Sequence, residues 1–339
     1  MAYDADAVIP AAFTILRCGL LPFGKESVLF FRRRARLTLV VLAVTAVTLD
    51  CEGAPKQPAV QGAVAKRTAR DAQATADDFG DTILTARPAR RIVSLSPVTT
   101  EIFFALGAGS RLVGRTHYDS YPAAALTVPD LGDGMLPNVE AILGVHPDLV
   151  VIYASRSNRA AAVQLRQAGI ATLAIRDDHI SDFRRTVALL ARATGDTIAG
   201  EAIADSVERS LAAVSARPRP ARPVTVFWHV WDSPILTIGR GSYLDELVTI
   251  AGATNIFGDL ADPSPQVTLE EIVRRNPDFI LVGTVSGQAL RDNVLWRSIP
   301  AVREGRLLVV DTVLVGRPGV RLGEAARSLR ALILKDTVR

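Results

Sequence analysis

The residues best suited to bind a ligand form a polar aromatic cluster from Thr116 to Pro122, directly after a predicted strand. The cluster contains His117 and Tyr118, and both residue types serve as axial ligands of haem iron. A single His-Tyr pair at a strand end is also common as a hydrogen-bonded wall of a pocket. The cluster therefore predicts a binding site, with iron coordination and a polar wall as two open alternatives.

Arginines and tryptophans at other predicted loop positions could complete this site. Arg240 and Arg321 lie at predicted loop or helix starts, where a guanidinium could bind carboxylate, phosphate or propionate groups of a bulky ligand. Arg317 could do the same, and a surface salt bridge is the equal alternative. Trp231, at the exit of a predicted strand, is a candidate stacking surface, whereas Trp228 in mid-strand is expected in the core.

Several other chemistries are not indicated. The four histidines show no spacing of metal ligands, and the two cysteines, Cys18 and Cys51, cannot form a disulfide framework or a zinc site. No Gly-x-Gly-x-x-Gly, P-loop or Gly-x-Ser-x-Gly pattern appears at a strand end, which argues against a doubly wound enzyme such as a transferase. The net charge is +4 and the arginines are scattered, which argues against nucleic-acid binding. We therefore expect no catalytic residue, no resident metal and no cofactor.

A short pattern occurs once in each half of the chain, at 139–152 and 269–282. Each copy has an apolar residue, a glutamate (Glu140 or Glu270), an isoleucine two residues later, then Pro-Asp and a run of apolar residues. Each copy predicts a short helix, a proline stop and a buried parallel strand. A glutamate in the first turn would complement the positive end of its helix.

A second repeated feature lies upstream of each copy. Glu101 precedes Gly107-Ala108, and Glu246 precedes Gly252-Ala253, at the same interval. Two correlated repeats in the same order predict two similar α/β lobes. Strands that alternate with helices at this spacing predict parallel sheets covered on both faces.

The elements divide the chain into two Rossmann-like lobes, 88–194 and 218–339, with a connecting segment at 195–217. In this segment, apolar residues recur with a period close to 3.6 between 195 and 216, which predicts one long helix that joins the lobes stiffly. A chain of 339 residues with 49% apolar residues can bury the cores of two such domains.

The N-terminal part is expected to be a targeting region. Within residues 1–51, an arginine-rich stretch precedes the apolar run Leu37–Leu49, which is too short for a membrane span, and then comes Cys51. This order predicts an export signal with a candidate lipidated cysteine, although Asp50 stands where such signals prefer a small residue. Residues 52–87 are predicted to be a flexible tether because they are rich in polar residues and show little periodicity.

Short motifs extend over roughly residues 88–336. In the first half they are Arg91–Pro97, Thr100-Glu101, Tyr121-Pro122, Asn138–Glu140 and Pro147–Val150. In the second half they are Gly241-Ser242, Glu246-Leu247, Ala251–Phe257, Gln266-Val267 and Glu270. In this order and spacing, the motifs resemble the periplasmic binding proteins of the vitamin B12, haem and ferric-siderophore importers.

The resemblance implies a class of fold and a partner. The family has two α/β lobes joined by one long backbone helix, and it binds its ligand between the lobes. Its members are exported to the periplasm or anchored on the outer side of the membrane, and we expect a monomer. By position, Glu140 and Glu270 would each reach arginines of an ABC importer permease dimer. The alternative is that each glutamate only complements its own helix.

The resemblance also implies a metal-chelate ligand. Tyr118 and Tyr121-Pro122 match the cobalamin-binding member by position, so cobalamin is the first candidate and haem or a ferric siderophore the alternative. The tryptophans that this member places before each docking glutamate are missing, because Gly132–Met135 and Asp262–Pro265 stand there. A scaffold domain that has kept only the fold is a further hypothesis. The expected ligand-binding residues are Ser96, Pro97, His117, Tyr118, Trp231, Arg240 and Arg321.

Overall fold

The computed structural model of the chain describes residues 76–82 and 87–335. The predicted export signal, with Cys51, and residues 52–75 and 83–86 of the predicted tether lie outside the described residues. Within the described part, no helix is long and apolar enough to cross a lipid bilayer.

The first sheet is built from short, buried strands. Its strands are β1 (Ile92–Ser94), β2 (Leu112–Gly114), β3 (Leu149–Tyr153) and β4 (Ala171–Ile175). They are all parallel and lie in the order β2-β1-β3-β4. The helices of this lobe are α1 (Pro97–Ala105), α2 (Val139–Gly144), α3 (Arg159–Gln167) and α4 (Asp182–Thr194).

A long helix, α5 (Thr197–Ser215), leads to the second lobe. The strands that follow are β5 (Thr225–Trp228), β6 (Trp231–Asp232), β7 (Ile235–Leu236), β8 (Thr254–Asn255), β9 (Phe279–Val282) and β10 (Leu307–Val309). The helices are α6 (Tyr243–Ala251), α7 (Leu269–Arg275), α8 (Thr284–Asp292), α9 (Pro300–Arg303), α10 (Thr312–Val315) and α11 (Leu322–Lys335).

The second sheet repeats the topology of the first. Its parallel strands lie in the order β10-β9-β5-β8, so β5, β8, β9 and β10 occupy the places of β1, β2, β3 and β4. The remaining strands, β6 and β7, form a small antiparallel hairpin after β5. The structure therefore confirms the prediction of two similar α/β lobes with parallel sheets.

The repeated pattern has the same backbone geometry in both lobes. His146 and Asn276, which stand directly before the Pro-Asp pairs, have φ angles of 49° and 44°, in the left-handed region. The aspartate that follows then binds the start of the neighbouring strand: Asp148 accepts the backbone N–H of Arg91 at 2.9 Å, and Asp278 accepts that of Thr225 at 2.8 Å. Each copy thus ends a helix, turns the chain and ties one strand to the next.

The second repeated feature is a helix ending. Gly107 and Gly252 have φ angles of 74° and 95°, which a glycine adopts without the penalty of a Cβ atom. The next residue then closes the last turn. Ala108 donates its N–H to the carbonyl of Phe103 at 2.8 Å, and Ala253 donates to Val248 at 3.1 Å. The Gly-Ala pairs therefore end α1 and α6 in the same way.

Helix α5 joins the lobes by packing on both of them. Asp196 caps its first turn by accepting the N–H of Ala199 at 3.1 Å. Its buried face packs against α4 of the first lobe and against α6 and α11 of the second. At the crossing with α11 a Cβ atom on Gly323 would lie 1.8 Å from the Ser210 hydroxyl oxygen, so this close approach requires glycine. One hydrophobic cluster includes Ile92 of the first lobe, Leu211 of α5 and Val226 of the second, so both lobes share a core with the helix.

Residues 76–82 correct one prediction. They belong to the segment predicted to be a flexible tether, but they bind the outer edge of the first sheet. Asp78 donates its N–H to the carbonyl of Ala174 in β4 at 2.9 Å, and the Asp77 carboxylate accepts the N–H of Ala174 at 3.0 Å. Asp77 also pairs with Arg166 at 2.7 Å, and Asp78 pairs with Arg185. These aspartates attach the segment because they satisfy an otherwise open strand edge.

Candidate ligand site and docking surface

The loop after β1 opens the candidate site. Ser96 precedes α1, and Pro97 is its first residue, where a proline loses no helical hydrogen bond. The Ser96 side chain makes no capping hydrogen bond to the helix. Its hydroxyl is therefore available at the carboxyl end of a parallel strand, where ligands bind in open α/β sheets.

The predicted cluster lies in the loop after β2. His117 is exposed and Tyr118 half-buried, and their ring centroids are 3.9 Å apart. Burial and the negative charge of Asp133 raise the pKa of Tyr118, so its phenol is neutral at physiological pH. It offers a hydroxyl for hydrogen bonding, whereas iron coordination would require its deprotonation.

A buried carboxylate holds this loop to the first lobe. Asp119 accepts the hydroxyl of Thr116 at 2.5 Å and that of Thr100 at 2.6 Å. Burial raises the pKa of Asp119, although these hydrogen bonds and the charge of Arg317 act in the opposite direction. The loop therefore has a fixed inner side, while His117 and Tyr118 face outward.

Two further loops join the cluster. His117 donates its backbone N–H to the carbonyl of Gly132 at 3.2 Å. The buried Asn158 side chain donates to the carbonyls of Gly134 at 3.0 Å and Tyr153 at 3.1 Å. The loops after β2 and β3 are thus linked to the segment 132–135, which contains no aromatic residue.

The second lobe reaches this loop through two arginines. Arg317 and Arg321 both bind the Glu101 carboxylate in α1, with N–O distances of 3.3 Å and 2.9 Å, and the Glu101 side chain is only 1% exposed. Arg317 therefore forms a salt bridge, which was one of its two predicted alternatives, but this salt bridge is buried and does not lie at the surface. The reason is that its partner lies in the opposite lobe.

The same arginines contact residues on either side of Asp119. Arg317 donates to the carbonyl of Tyr118 at 2.5 Å and to the Ser120 hydroxyl at 3.3 Å. The guanidinium of Arg321 lies 3.9 Å from the centre of the Tyr121 ring, a cation–π contact. Arg321 is therefore already engaged with this chain, and its role toward a ligand stays a prediction.

A reciprocal contact crosses between the lobes elsewhere. Glu246 in α6 accepts a hydrogen bond from the His179 ring at 2.9 Å, and His179 follows β4 of the first lobe. This hydrogen bond raises the pKa of His179, against a smaller opposing effect of burial. Glu101 and Glu246 are the glutamates of the repeated Glu-to-Gly-Ala feature, and each binds residues that follow the last strand of the other lobe.

The remaining predicted residues lie elsewhere in the second lobe. Trp231 lies in the β6–β7 hairpin, is 50% exposed, and donates its indole N–H to the carbonyl of Ser233 at 3.2 Å. Arg240 lines a surface pocket of about 720 Å³ whose lining residues all lie between Arg219 and Arg275. In the part of the chain that the structure describes, no hydrogen bond, ion pair or ring contact joins either residue to His117 or Tyr118. Trp228 is buried in the core, as predicted.

The predicted docking glutamates occupy equivalent places. Glu140 and Glu270 are exposed in the first turns of α2 and α7. Other residues cap these helices: Asn138 accepts the N–H of Ala141 at 3.0 Å, and Thr268 accepts that of Glu271 at 3.2 Å. No ion pair within residues 76–82 and 87–335 involves either glutamate.

The sequence pointed to Glu101 and Glu246 only as part of a repeat. Their partners, Arg317 and His179, could not be assigned because they are far away in the chain. Among the described residues, no group of three His, Cys, Asp or Glu side chains is arranged to hold a metal ion.

The chain matches the family model described as "Periplasmic binding protein" over residues 92–314. It belongs to this family. An uncharacterized ABC transporter substrate-binding lipoprotein of Bacillus subtilis, YvrC, is 30% identical over 315 residues, which cover 90% of this chain and 99% of the relative. The family membership and this relative confirm the predicted fold and class, an extracytoplasmic substrate-binding protein of an ABC transporter.

Other relatives carry the names of ligands. A vitamin B12-binding protein of Vibrio cholerae serotype O1 is 26% identical over 246 residues, which cover 71% of this chain and 88% of the relative. The solved structure of the periplasmic haem-binding protein RhuT from Roseiflexus sp. RS-1 is similar with a TM-score of 0.67 and 25% identity, over 73% of this chain and 98% of that one. These relatives are binding proteins.

Proposed function

We propose that this periplasmic binding protein captures a bulky metal chelate between its lobes, with cobalamin as the first candidate, and delivers it to an ABC importer permease. The observation that carries the proposal is the loop 117–121. It presents His117 and Tyr118 at the carboxyl end of the first sheet and is bound from the opposite lobe by Arg317. The similarity to vitamin B12-binding proteins supports cobalamin.

A haem or a ferric siderophore is the second candidate for the ligand. The adjacent His117 and Tyr118 side chains are of the types that bind haem iron, and the likeness to a haem-binding protein supports this alternative. Gly132–Met135 and Asp262–Pro265 provide no aromatic wall for a corrin ring. Cobalamin would then depend on Tyr118 and Trp231 for its aromatic contacts.

Docking is proposed to occur through Glu140 and Glu270. Both carboxylates are exposed, and both helices are capped by other residues, so the glutamates are not needed to complete them. Two equivalent carboxylates on two equivalent lobes suit a permease dimer that presents an arginine from each half. A single copy of the protein provides both contacts, and we propose that it acts as a monomer.

Little closure of the lobes is proposed to accompany capture. The hydrophobic cluster runs through α5 from one lobe to the other, and the buried Glu101 carboxylate binds two arginines across the boundary. A wide hinge motion would have to break both sets of contacts. Ligand affinity would therefore come from a preformed cleft rather than from domain closure.

Calorimetric titration tests the ligand. The purified protein is titrated with cyanocobalamin, with haemin and with a ferric hydroxamate, in parallel. The proposal predicts submicromolar binding of one of these chelates at one site per chain. For cyanocobalamin, Tyr118→Ala and Trp231→Ala should weaken binding; for haemin, His117→Ala should do so. Absence of binding by all three would contradict the metal-chelate proposal and favour a scaffold that has kept only the fold.

A further inference from the structure

Arg317 connects three parts of the first lobe from the second. One terminal nitrogen of its guanidinium donates to Glu101 at 3.3 Å, and the other donates to the carbonyl of Tyr118 at 2.5 Å and to the Ser120 hydroxyl at 3.3 Å. Its Nε atom is buried and has no hydrogen-bond partner among the described residues. All hydrogen bonds from this side chain to the first lobe therefore pass through the two terminal nitrogens.

The residues that follow Arg317 also lie close to Glu101. Gly319 allows the chain to pass close to Glu101, since a Cβ atom there would lie 3.2 Å from the carboxylate oxygen. Arg321 binds the same carboxylate through Nη2 at 2.9 Å and Nε at 3.3 Å. Because Arg321 also balances the charge of Glu101, the contacts that Arg317 alone makes are the hydrogen bonds to the Tyr118 carbonyl and to the Ser120 hydroxyl.

We infer that Arg317 is a positioning residue that sets Tyr118 for ligand binding from the opposite lobe. The inference rests on the proposed function, because it assumes that Tyr118 contacts the ligand. Asp119 fixes the inner side of the loop through first-lobe hydroxyls, and Arg317 fixes the carbonyl one residue earlier. In the chain, the Tyr118 side chain lies between Thr116, which binds Asp119, and its own carbonyl, which binds Arg317, so its position depends on both contacts.

Because of this arrangement, the position of the Tyr118 loop in the first lobe depends on where the second lobe lies. When the lobes keep their observed relation, the Tyr118 carbonyl is held. Any separation of the lobes would break the hydrogen bond from Arg317, and the loop would then lose one of its attachments.

The test uses substitution by lysine. In Arg317→Lys the positive charge remains near Glu101, but one ammonium group cannot replace the planar fork that reaches Glu101 and Tyr118 together. The matched control is Arg330→Lys. Arg330 is also a buried arginine of the second lobe, and it donates to the carbonyls of Ala251 and Pro218, with no first-lobe partner.

Two measurements are made on each full-length variant. Amide hydrogen exchange of the 116–122 segment reports the stability of the loop without any ligand, and calorimetric titration with cyanocobalamin, haemin and a ferric hydroxamate reports binding. We expect Arg317→Lys to speed exchange in this segment and to weaken chelate binding, each by about tenfold, as for loss of a hydrogen bond to a charged group. Arg330→Lys should leave both unchanged, even where its melting temperature falls.

The outcomes separate this inference from the proposed function. Unchanged exchange in Arg317→Lys would overturn the inference whatever the ligand is. Faster exchange with unchanged affinity would overturn the claim that the loop controls binding. If the wild-type protein binds none of the three chelates, the metal-chelate proposal and the role in binding fail together, while faster exchange would still establish that Arg317 holds the loop.

Discussion

At the scale of single residues, Glu101 is a buried charge that is neutralised by the opposite lobe. Its carboxylate is 1% exposed and binds the guanidiniums of Arg317 and Arg321. Removal of one partner from a buried ion pair leaves an uncompensated charge, which costs far more than the loss of a surface pair. Glu101 therefore stabilises both the lobe boundary and the loop that carries Tyr118.

We predict that Glu101→Gln lowers the free energy of unfolding by about 3 kcal/mol or more, because the buried Arg317 and the partly buried Arg321 lose their counter-charge. Urea denaturation measures this change. The control is Glu208→Gln, whose carboxylate pairs with Arg184 at the surface and should change stability by at most about 1 kcal/mol. Equal effects of the two substitutions would contradict the account of the lobe boundary.

The contact between His179 and Glu246 predicts a dependence on pH. The hydrogen bond raises the folded-state pKa of His179 above its ordinary value of 6.5, so the stabilisation is present below that value and is lost as the pH rises through the raised pKa. Both side chains are partly exposed, so solvent screening keeps the effect small.

Glu246→Gln should therefore lower the melting temperature at about pH 5.5 and change it little at about pH 9. Glu201→Gln, at an exposed position of α5, serves as the control and should show no such difference. An effect of Glu246→Gln that grows with increasing pH would show that the sign of this linkage is wrong.

The sequence predicted these contacts only in part. It indicated that the arginines at 317 and 321 can bind a carboxylate, but Glu101 lies 216 positions before Arg317, and no local pattern relates them. His179 gave no signal, since the four histidines show no regular spacing. The repeat singled out Glu101 and Glu246 without indicating their partners, because a contact between lobes depends on tertiary packing.

At the scale of elements, each lobe contains one copy of the repeated helix–turn–strand unit, and this unit connects the strands of its sheet. Its turn places His146 and Asn276 at positive φ, and its aspartate binds the neighbouring strand. Asparagine tolerates the left-handed region better than histidine does. The two copies therefore form the same turn, but the positive φ angle is less favourable in free energy for His146 than for Asn276.

Exchange of these two residue types tests the equivalence of the turns. His146→Asn should raise stability by a few tenths of a kcal/mol, and Asn276→His should lower it by a similar amount, because the backbone angles are nearly the same. Thermal unfolding of each variant measures the shift. A change of the same sign in both variants would contradict the equivalence.

The segment 76–82 leads to a second prediction at this scale. Asp77 is buried and accepts hydrogen bonds from Arg166 and from the N–H of Ala174. Asp77→Asn should lower the free energy of unfolding by about 1–3 kcal/mol, since it removes a charge-assisted pair next to a strand edge. Asp81→Asn, which affects a more exposed partner of the same Arg166, should cost clearly less. Equal costs would mean that the segment is not held through Asp77.

The sequence predicted regular elements better than this segment. Helix α5 begins and ends within about two residues of the bounds expected from its apolar period. The strands of the repeat were recognised by their apolar runs. The attachment of residues 76–82 was not predicted, because it depends on ion pairs and backbone hydrogen bonds, and neither gives a periodic pattern in the sequence. The β6–β7 hairpin was not predicted, because strands of only two residues are too short to show an alternating pattern.

At the scale of the whole molecule, two lobes with the same strand order form equivalent halves around α5. The similarity of the two lobes was predicted from the repeat in the sequence, whereas the fold alone does not identify the ligand. The equivalence gives the molecule two similar exposed carboxylates, Glu140 and Glu270. The central claim is that these two carboxylates dock the protein on the permease, so that it can deliver the ligand that it has bound.

The most direct measurement of this claim is uptake, in cells that contain the cognate permease, of the chelate that titration identifies. The protein with Glu140→Lys and Glu270→Lys together is compared with a control that carries Glu201→Lys and Glu324→Lys, two exposed glutamates outside the repeat with the same total charge change. The account predicts unchanged chelate affinity in both, normal uptake with the control and no uptake with the Glu140/Glu270 variant. Normal uptake with that variant would contradict the account.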